Sequence, residues 1–450
     1  MSFPSPAIPK TANIDPLKKQ AIKYLFTLIA ILLLCPLRMM GQEKRDSVVV
    51  SLITCWPGSE VYELCGHEAL RVRGISDGIP VDTVWNYGVF NFNEPNFVYR
   101  FVKGETDYLL AGYPFEWFLP EYIESGRKVI EQDLNLTPEE TAQLVAMLRE
   151  EGRPENRTYR YNYVRDNCAT RILDRIDSVA GAPVVYPDNV KYGTFRKEMR
   201  HYHQNYPWYQ FGIDIALGSG IDIPITGKEE MFVPIEMADK AEGAHFADGR
   251  PLVRQSRVLY EGTYSAVLPA TPWYLTPVAI GWLLFAIASG FVIWMWVRKD
   301  IIKTIYSVWF GLTGLAGSLV AFLVFISKHE ATDPNVLLLW LNPFQLIFAI
   351  SIWSRRARVL SYIMAYYNII SLGCLLIVWQ AQRQSANPAF FPLMGISIIL
   401  AVAFAVLAPD YYQFNKKGET ALNNKGPHLR FSRREGSRSN SQTNKRKKVK

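Results

Sequence analysis

Apolar residues are distributed unevenly along the 450-residue chain. From about residue 44 to 270 they alternate with polar residues in short runs, whereas five long apolar segments follow. Each segment is long enough, at about 1.5 Å per residue, to cross a hydrocarbon core of roughly 30 Å as a helix. The pattern predicts an α+β domain at 44–270 and an all-α, five-helix transmembrane domain at 271–410, with spans at 273–297, 302–327, 336–353, 359–380 and 389–409.

The first 43 residues have the pattern of an export segment. Lys18, Lys19 and Lys23 precede a short apolar run from Tyr24 to Cys35. A basic region followed by such a run is typical of a signal peptide, because the run is too short to span a bilayer comfortably. The preceding Pro-rich extension makes an uncleaved anchor the alternative. Both interpretations export the chain from residue 44 onward.

The net charge of +8 is concentrated at the end of the chain. Residues 411–450 hold twelve Lys and Arg against two acidic residues, which leaves −2 for the rest. The loops between the apolar segments alternate between basic and mixed charge, and the positive-inside rule places the basic ones in the cytoplasm. The protein is therefore predicted to be a multi-pass inner-membrane protein with 44–270 in the periplasm. The tail is predicted to be disordered and cytoplasmic, contacting anionic lipid rather than nucleic acid.

Within 44–270 the spacing of apolar residues is typical of strands in some segments and of helices in others. Ser47–Thr54, His67–Gly74 and Thr83–Phe92 are rich in β-branched and aromatic residues and predict strands. A capping box at Thr137, followed by proline, predicts a helix that ends near Gly152.

A second helix is predicted from Cys168 to Val179, with Asp166 as its N-cap. Cys168 then lies in the first turn, where unpaired N–H groups and the helix dipole favour a thiolate. On its strand, His67 faces away from the apolar side, which argues against an ordinary core histidine. A thiolate and imidazole need a third group to orient the ring, and Asn86 on the next strand is the candidate.

The cysteines leave other interpretations open. A free cysteine can be an ordinary buried residue. Cys55 and Cys65 could form a disulfide in an oxidising compartment, which would leave Cys168 as the only free thiol of the exported domain. Cys65 is the rival nucleophile because it lies two residues from His67, although a strand offers no dipole to ionise it.

Other polar residues suggest binding sites. His201 and His203 alternate, but no nearby Cys or third His completes a metal site, so they are predicted to be solvated loop residues, and neither metal nor cofactor is expected. The third apolar segment contains Asn342 and a proline, preceded by His329 and Asn335. Polar groups in a membrane helix are costly unless they face a cavity or a partner.

Asn342 would lie about 10 Å below the outer boundary, at the depth of a lipid glycerol. His329, Asn335 and Asn342 are therefore predicted to bind substrate. The alternative is a proline kink whose polar groups are satisfied by neighbouring helices.

These residues belong to an ordered series of short motifs. The series resembles the N-terminal periplasmic domain of Lnb-type lipoprotein N-acyltransferases, and His329 with Asn335 and Asn342 resembles that family's membrane domain. Cys55, Cys65 and the N-terminal extension depart from the family's pattern. The motifs are Pro57-Gly58, Gly66-His67-Glu68-Ala69-Leu70-Arg71, Asn86-Tyr87-Gly88-Val89-Phe90, Phe101-Val102-Lys103-Gly104, Glu155-Asn156-Arg157, Tyr161-Asn162-Tyr163 and Asp166-Asn167-Cys168-Ala169-Thr170-Arg171.

The resemblance implies a permuted papain-like fold of the NlpC/P60 kind, with His67 before Cys168. It implies transfer of an acyl chain from a phospholipid to the α-amine of a diacylglyceryl lipoprotein cysteine. A Cys168 thioester suits a compartment without acyl-CoA, with His67 as base and then acid and backbone N–H groups at the helix start stabilising the oxyanion. Two other classes remain: a membrane-tethered thiol peptidase or amidase acting on cell-wall peptide, and a non-catalytic envelope scaffold.

Overall fold

The computed structural model describes residues 20, 21, 23, 24, 47–76, 78–91, 93, 95–263 and 268–424, with backbone alone for 410 and 412–424. The predicted export segment at 1–43 lies almost entirely outside the described residues, as does the tail from 425 onward.

A seven-stranded antiparallel sheet forms the scaffold of the first domain, called here the sheet domain. Its strands are β1 (Val49–Cys55), β2 (His67–Ser76), β3 (Ile79–Val89), β4 (Asp107–Pro114), β5 (Val129–Leu134), β6 (Thr158–Arg160) and β9 (Val253–Tyr260). Their order across the sheet is β6-β4-β3-β2-β1-β5-β9. The three predicted strands correspond to β1, β2 and β3. A separate two-stranded ribbon pairs β7 (Val184–Val185) with β8 (His245–Phe246).

The sheet domain also contains eight helices of the described chain. They are α1 (Phe97–Lys103), α2 (Phe115–Glu124), α3 (Pro138–Glu151), α4 (Cys168–Val179), α5 (Phe195–Tyr202), α6 (Pro207–Ala216), α7 (Gly227–Glu230) and α8 (Pro234–Gly243). The capping box that begins α3 is confirmed, with Glu140 N–H donating to Thr137 Oγ1 at 3.2 Å and Thr137 N–H to Glu140 Oε2 at 2.7 Å.

The sheet buries apolar residues on both faces. On one face Leu70 and Val72 of β2 pack against Ile172 and Ile176 of α4. Residues two apart in a strand, like residues four apart in a helix, point to the same side. On the other face Ala69 belongs to a smaller cluster that α2 covers. Helix α4 is therefore fixed against the centre of the sheet, with its first residue at the end where β2 begins.

The second part of the chain, called the helical domain, contains four described helices long and apolar enough to cross a membrane. They are α9 (Pro277–Arg298), α10 (Lys303–Phe325), α12 (Arg358–Ala381) and α13 (Phe390–Asn424). An α+β domain followed by an all-α domain is the predicted fold class. Helix α13 continues to Asn424, so the first part of the predicted disordered tail is helical.

The third predicted span is not one continuous helix, and this corrects the sequence interpretation. It consists of a 3-10 turn at Val336–Leu339, a break, and the short helix α11 (Gln345–Ser351). Pro343 lies in the break. Two glycines of α10 allow the broken segment to approach, because a Cβ added at Gly314 would lie 2.8 Å from Leu346 N and one at Gly317 would lie 2.2 Å from Asn342 N.

Polar contacts join the two domains. Gly218 N–H donates to the Ala331 carbonyl at 2.9 Å, and Arg200 Nη1 donates to Ser385 Oγ at 2.7 Å. Asn387 Nδ2 donates to Asp214 Oδ2 at 2.8 Å.

The fully buried Arg196 organises the sheet-domain side of this junction. It pairs with Asp214 and Asp222, both at 2.9 Å, and donates to the carbonyls of Leu217 and Gly218. We call Arg196, Asp214 and Asp222 the arginine cluster.

Candidate active site

Cys168 is the first residue of α4, and the helix start is organised by the residue before it. Asn167 Oδ1 accepts from the N–H groups of Ala169 and Thr170, both at 3.0 Å, and Asn167 Nδ2 donates to the Phe232 carbonyl at 2.8 Å. The N-cap is therefore Asn167, and the prediction of Asp166 is wrong by one residue. Both residue types can cap a helix, and the tertiary bond to Phe232 favours Asn167.

Cys168 lies where two strands of the sheet separate. The pairing of β2 with β3 extends from Ser76 only as far as Leu70 with Trp85, and β3 is irregular between Asn86 and Val89. The beginning of β2 is thus unpaired on that side. A Cβ added at Gly88 would lie 3.8 Å from Cys168 Cβ, and the backbone N–H of Glu68 points at the Cys168 sulfur. The sulfur therefore lies beside the residue that follows His67.

His67 is held by a chain of hydrogen bonds on β3 and β4. Its Nε2 lies 2.7 Å from Asn86 Oδ1, and Asn86 Nδ2 lies 2.9 Å from Tyr113 Oη. With the Asn86 amide nitrogen directed to Tyr113, the amide oxygen accepts from the imidazole, so Nε2 carries the proton and Nδ1 has a free lone pair. The structure thus joins His67, Asn86 and Tyr113 by hydrogen bonds at the start of β2, and the Cys168 sulfur lies beside the N–H of Glu68, the next residue of that strand.

Burial determines the protonation of the thiol and the imidazole. Desolvation raises the pKa of the Cys168 thiol to about 11, although the N–H groups of Glu68, Ala169 and Cys168 itself act in the opposite direction. Desolvation also lowers the pKa of His67 to about 4, although the hydrogen bond that His67 donates to Asn86 acts in the opposite direction. Both groups are neutral at pH 7. The expectation of a resting thiolate is therefore wrong, because burial outweighs the helix start. The positive charge of the nearby Arg171 is paired with Asp166.

Glu68 is a component of this region that sequence reasoning missed. Its side chain is fully buried, Thr54 Oγ1 donates to its Oε2 at 2.8 Å, and its Oε1 has no hydrogen-bond partner among the described residues. Burial raises the pKa of this carboxyl well above its usual range. The signal was available, because Glu68 shares its strand face with Leu70 and Val72, where an ionisable residue is out of place.

The other two cysteines of the sheet domain do not form the disulfide that the sequence left open. Cys55 and Cys65 are both free thiols. Cys55 is fully buried in the cluster beneath α2, whereas Cys65 packs against a different cluster and its sulfur lies 3.6 Å from Tyr163 Oη. Burial raises the pKa of Cys65 to about 12, which weakens its case as the rival nucleophile.

The two alternating histidines are not solvated loop residues. His201 lies in the last turn of α5 and stacks on Tyr192 with ring centroids 4.4 Å apart. His203 ends that helix, is fully buried, and its Nδ1 lies 2.7 Å from Gln210 Oε1. The approach of α6 buries His203, which local sequence does not show. Within the described ranges, no group of three or more His, Cys, Asp or Glu side chains could hold a metal ion.

The three residues predicted to bind substrate occupy different places, with no hydrogen bond among them in the described structure. His329 Nε2 lies 2.7 Å from the Phe101 carbonyl at the end of α1. Asn335 Nδ2 donates to the Ile215 carbonyl at 2.9 Å, and its Oδ1 accepts from Gln384 at 3.0 Å. His329 and Asn335 thus connect the two domains through these hydrogen bonds, and their predicted role in substrate binding stays a prediction.

Asn342 lies in the break of the third apolar segment, within the helical domain. It is 4% exposed, and its Oδ1 has no hydrogen-bond partner in the part of the chain that is described. The same is true of Gln345 Oε1, although Gln345 Nε2 donates to Asn368 Oδ1 at 2.9 Å. Two unsatisfied acceptors in an apolar domain are costly, so they are candidates for contact with a hydrogen-bond donor.

Two family models match the chain. The model described as the Lnb N-terminal periplasmic domain matches residues 40–197, and that described as the Lnb transmembrane domain matches residues 269–409. The chain therefore belongs to the Lnb family, and it is an integral membrane protein that acts on lipoproteins. No curated protein and no solved structure gives a significant match, so the likeness to NlpC/P60 domains stays a prediction.

Proposed function

We propose that this protein is a lipoprotein N-acyltransferase that uses Cys168 to carry the acyl chain from a phospholipid to the α-amine of a diacylglyceryl lipoprotein cysteine. The observation that carries the proposal is the meeting of Cys168 with the β2 start that bears His67, in a domain attached to membrane helices. A thioester would conserve the acyl energy of the donor ester while the lysophospholipid leaves.

In the first half-reaction His67 Nδ1 removes the proton from the Cys168 thiol as the sulfur attacks the ester carbonyl. Because the pKa of the Cys168 thiol is about 11, the thiol is protonated before the reaction. Its proton is therefore removed while the sulfur attacks. The N–H groups of Glu68 and Cys168 are the donors we assign to the oxyanion, since Asn167 occupies those of Ala169 and Thr170. His67 then returns the proton to the departing glycerol oxygen, and a thioester remains.

In the second half-reaction the lipoprotein amine attacks the thioester. His67 accepts a proton from the amine nitrogen as the new amide bond forms, and the C–S bond breaks. The same proton returns to the Cys168 sulfur, so the enzyme ends in its starting state. Asn86 does not exchange a proton in this scheme, because its role is to keep Nδ1 directed at the reacting atoms.

Access from the bilayer is supported by α1. Val98, Tyr99 and Phe101 are 73%, 57% and 47% exposed, and the Tyr99 ring lies 6.4 Å from that of Phe322 near the end of α10. Apolar side chains beside the end of a membrane helix are suited to the interface with lipid. We propose that this end faces the periplasm, as the alternation of loop charge predicts, and that Asn342 contacts a substrate inside the helical domain.

The test uses the full-length protein in phospholipid vesicles with a synthetic diacylated lipopeptide as acceptor. We expect Cys168→Ser to lower N-acylation at least about 10³-fold and to abolish the acyl-enzyme adduct seen by intact mass spectrometry. Cys65→Ser is the matched control, and we expect it to retain both. Undiminished N-acylation by Cys168→Ser would overturn the proposal, and cleavage of cell-wall peptide instead of acyl transfer would favour the thiol peptidase.

A further inference from the structure

A cavity of about 210 Å³ lies at the junction of the two domains, next to the start of α4. Asn162 and Arg165 line it from the sheet domain, and Glu330 lines it from the helical domain, with Phe195 and Ile221 among its apolar walls. We call it the junction cavity. Arg165, whose side chain is exposed, precedes Cys168 by three residues in the chain.

The depth of the junction cavity follows from the helical domain. Glu330 belongs to the connection between α10, which ends at Phe325, and the broken segment, which begins at Val336. Because α10 is long enough to cross a bilayer, this connection lies at the level of the lipid headgroups. A ligand of the junction cavity would thus be reached from the membrane surface.

The two charged residues of the cavity are not neutralised by each other. Among the described residues Arg165 has no side-chain hydrogen bond or ion pair, and Glu330 has one contact, in which its Oε2 accepts from Asn162 Nδ2 at 3.3 Å. Neighbouring charges behave differently, since Arg171 pairs with Asp166 at 2.6 Å and Lys328 with Glu105 at 2.9 Å. A cation and an anion therefore line one cavity with space between them.

We propose that the junction cavity binds the zwitterionic headgroup of a phospholipid that ends in a primary ammonium, with phosphate on Arg165 and ammonium on Glu330. The guanidinium presents paired donors that match phosphate oxygens. A primary ammonium can donate to the Glu330 carboxylate, whereas a quaternary ammonium has no N–H. A headgroup that carries only negative charge would be repelled by Glu330. This inference rests on the proposed function, because it names the donor lipid of the same site.

The test compares four donors with identical acyl chains in the same assay: phosphatidylethanolamine, phosphatidylglycerol, phosphatidylcholine and diacylglycerol. We expect the unaltered protein to use phosphatidylethanolamine about tenfold better than phosphatidylglycerol. Glu330→Gln should remove that preference. Arg165→Gln should lower the use of every phospholipid about tenfold but leave diacylglycerol unchanged. Arg254→Gln, at an exposed arginine of the edge strand β9, is the matched control and should behave as the unaltered protein.

A binding measurement separates this inference from the proposed function. Short-chain phosphatidylethanolamine or phosphatidylglycerol is titrated into detergent-solubilised Cys168→Ser protein, because binding can be measured without turnover. The same titrations are made with Cys168→Ser protein that also carries Arg165→Gln or Glu330→Gln. Preferential binding of phosphatidylethanolamine that needs both residues supports the cavity assignment even if no acyl transfer occurs. Equal binding of the two lipids would overturn it. The assignment would also be overturned if Glu330→Gln changed the KM for the lipopeptide but not the use of any phospholipid. Glu330 would then bind the acceptor amine.

Discussion

The arginine cluster and the Cys168 region are both polar and largely buried, yet their groups are satisfied in opposite ways. The Arg196 guanidinium is matched by two carboxylates and two carbonyls. Around Cys168 the thiol and imidazole are neutral and one oxygen of Glu68 is unpartnered. Complete pairing fixes a structure, whereas groups held neutral by desolvation are available for proton transfer. We therefore expect substitutions in the first region to lower stability, and those in the second to change proton transfer and the pH dependence of stability.

The largest expected effect is on stability, from Arg196→Ala. Removing the guanidinium leaves the Asp222 carboxylate buried without its cation, whereas Asp214 keeps Arg200 and Asn387. Breaking such a buried pair typically costs about 3–5 kcal/mol of unfolding free energy. Thermal unfolding of the purified full-length protein measures the loss. Arg153→Ala is the control, since that exposed arginine pairs with Glu150 one helical turn away and should cost less than about 1 kcal/mol. Equal losses for the two variants would show that the buried ion pairs of Arg196 contribute no more to stability than an exposed pair.

A smaller effect concerns the pH dependence of the reaction. The pKa of His67 is lowered to about 4, so the imidazole stays an active base well below pH 6.5. We expect kcat/KM for the phospholipid donor, which does not include attack by the lipoprotein amine, to stay nearly constant from pH 7 to pH 5 and to fall as pH approaches 4. Because the folded pKa lies below the unfolded value, the contribution of His67 to stability is present above pH 6.5 and is lost as pH falls toward 4. An acidic limb centred near pH 6.5 would contradict this account of the site.

The smallest expected effect is that of Glu68→Gln. The pKa of Glu68 is raised by burial, so the folded protein holds a proton that the unfolded chain releases above about pH 4.5. The stability of the unaltered protein should therefore decrease relative to Glu68→Gln as pH rises from 5 to 8. The melting temperatures of both proteins across that range check the sign. Glu139→Gln, at an exposed position of α3, serves as control, and a constant difference between Glu68→Gln and the unaltered protein would refute the assignment.

Local patterns in the sequence predicted much of the framework. Three of these features depend only on residues that are close in sequence, so they can be predicted without tertiary information. They are the apolar alternation of β2, the capping box of α3 and the amphipathic pattern of α4. The choice of Asn86 for His67 followed from their places on neighbouring strands, although the ladder between β2 and β3 ends at Leu70 and Trp85, before either residue.

The errors share a different cause, which is burial by distant parts of the chain. Desolvation keeps the Cys168 thiol protonated, contrary to expectation. Packing of another helix buries His203. The residues adjacent in sequence show neither effect. The unpaired Cys55 and Cys65 belong to clusters on separate parts of the sheet domain. The interruption at Asn342 was recognised as polar, but the glycines that accommodate a broken backbone lie on another helix.

Those glycines restrict where the polar interruption can lie across the bilayer. A methyl group at Gly317 would come within 2.2 Å of Asn342 N, so only hydrogen fits at that crossing. If α10 slid by one turn, about 5.4 Å, Thr313 or Ala321 would replace Gly317, and each carries a Cβ. Asn342 is thus held at a single height, and any molecule that meets it must reach that height itself.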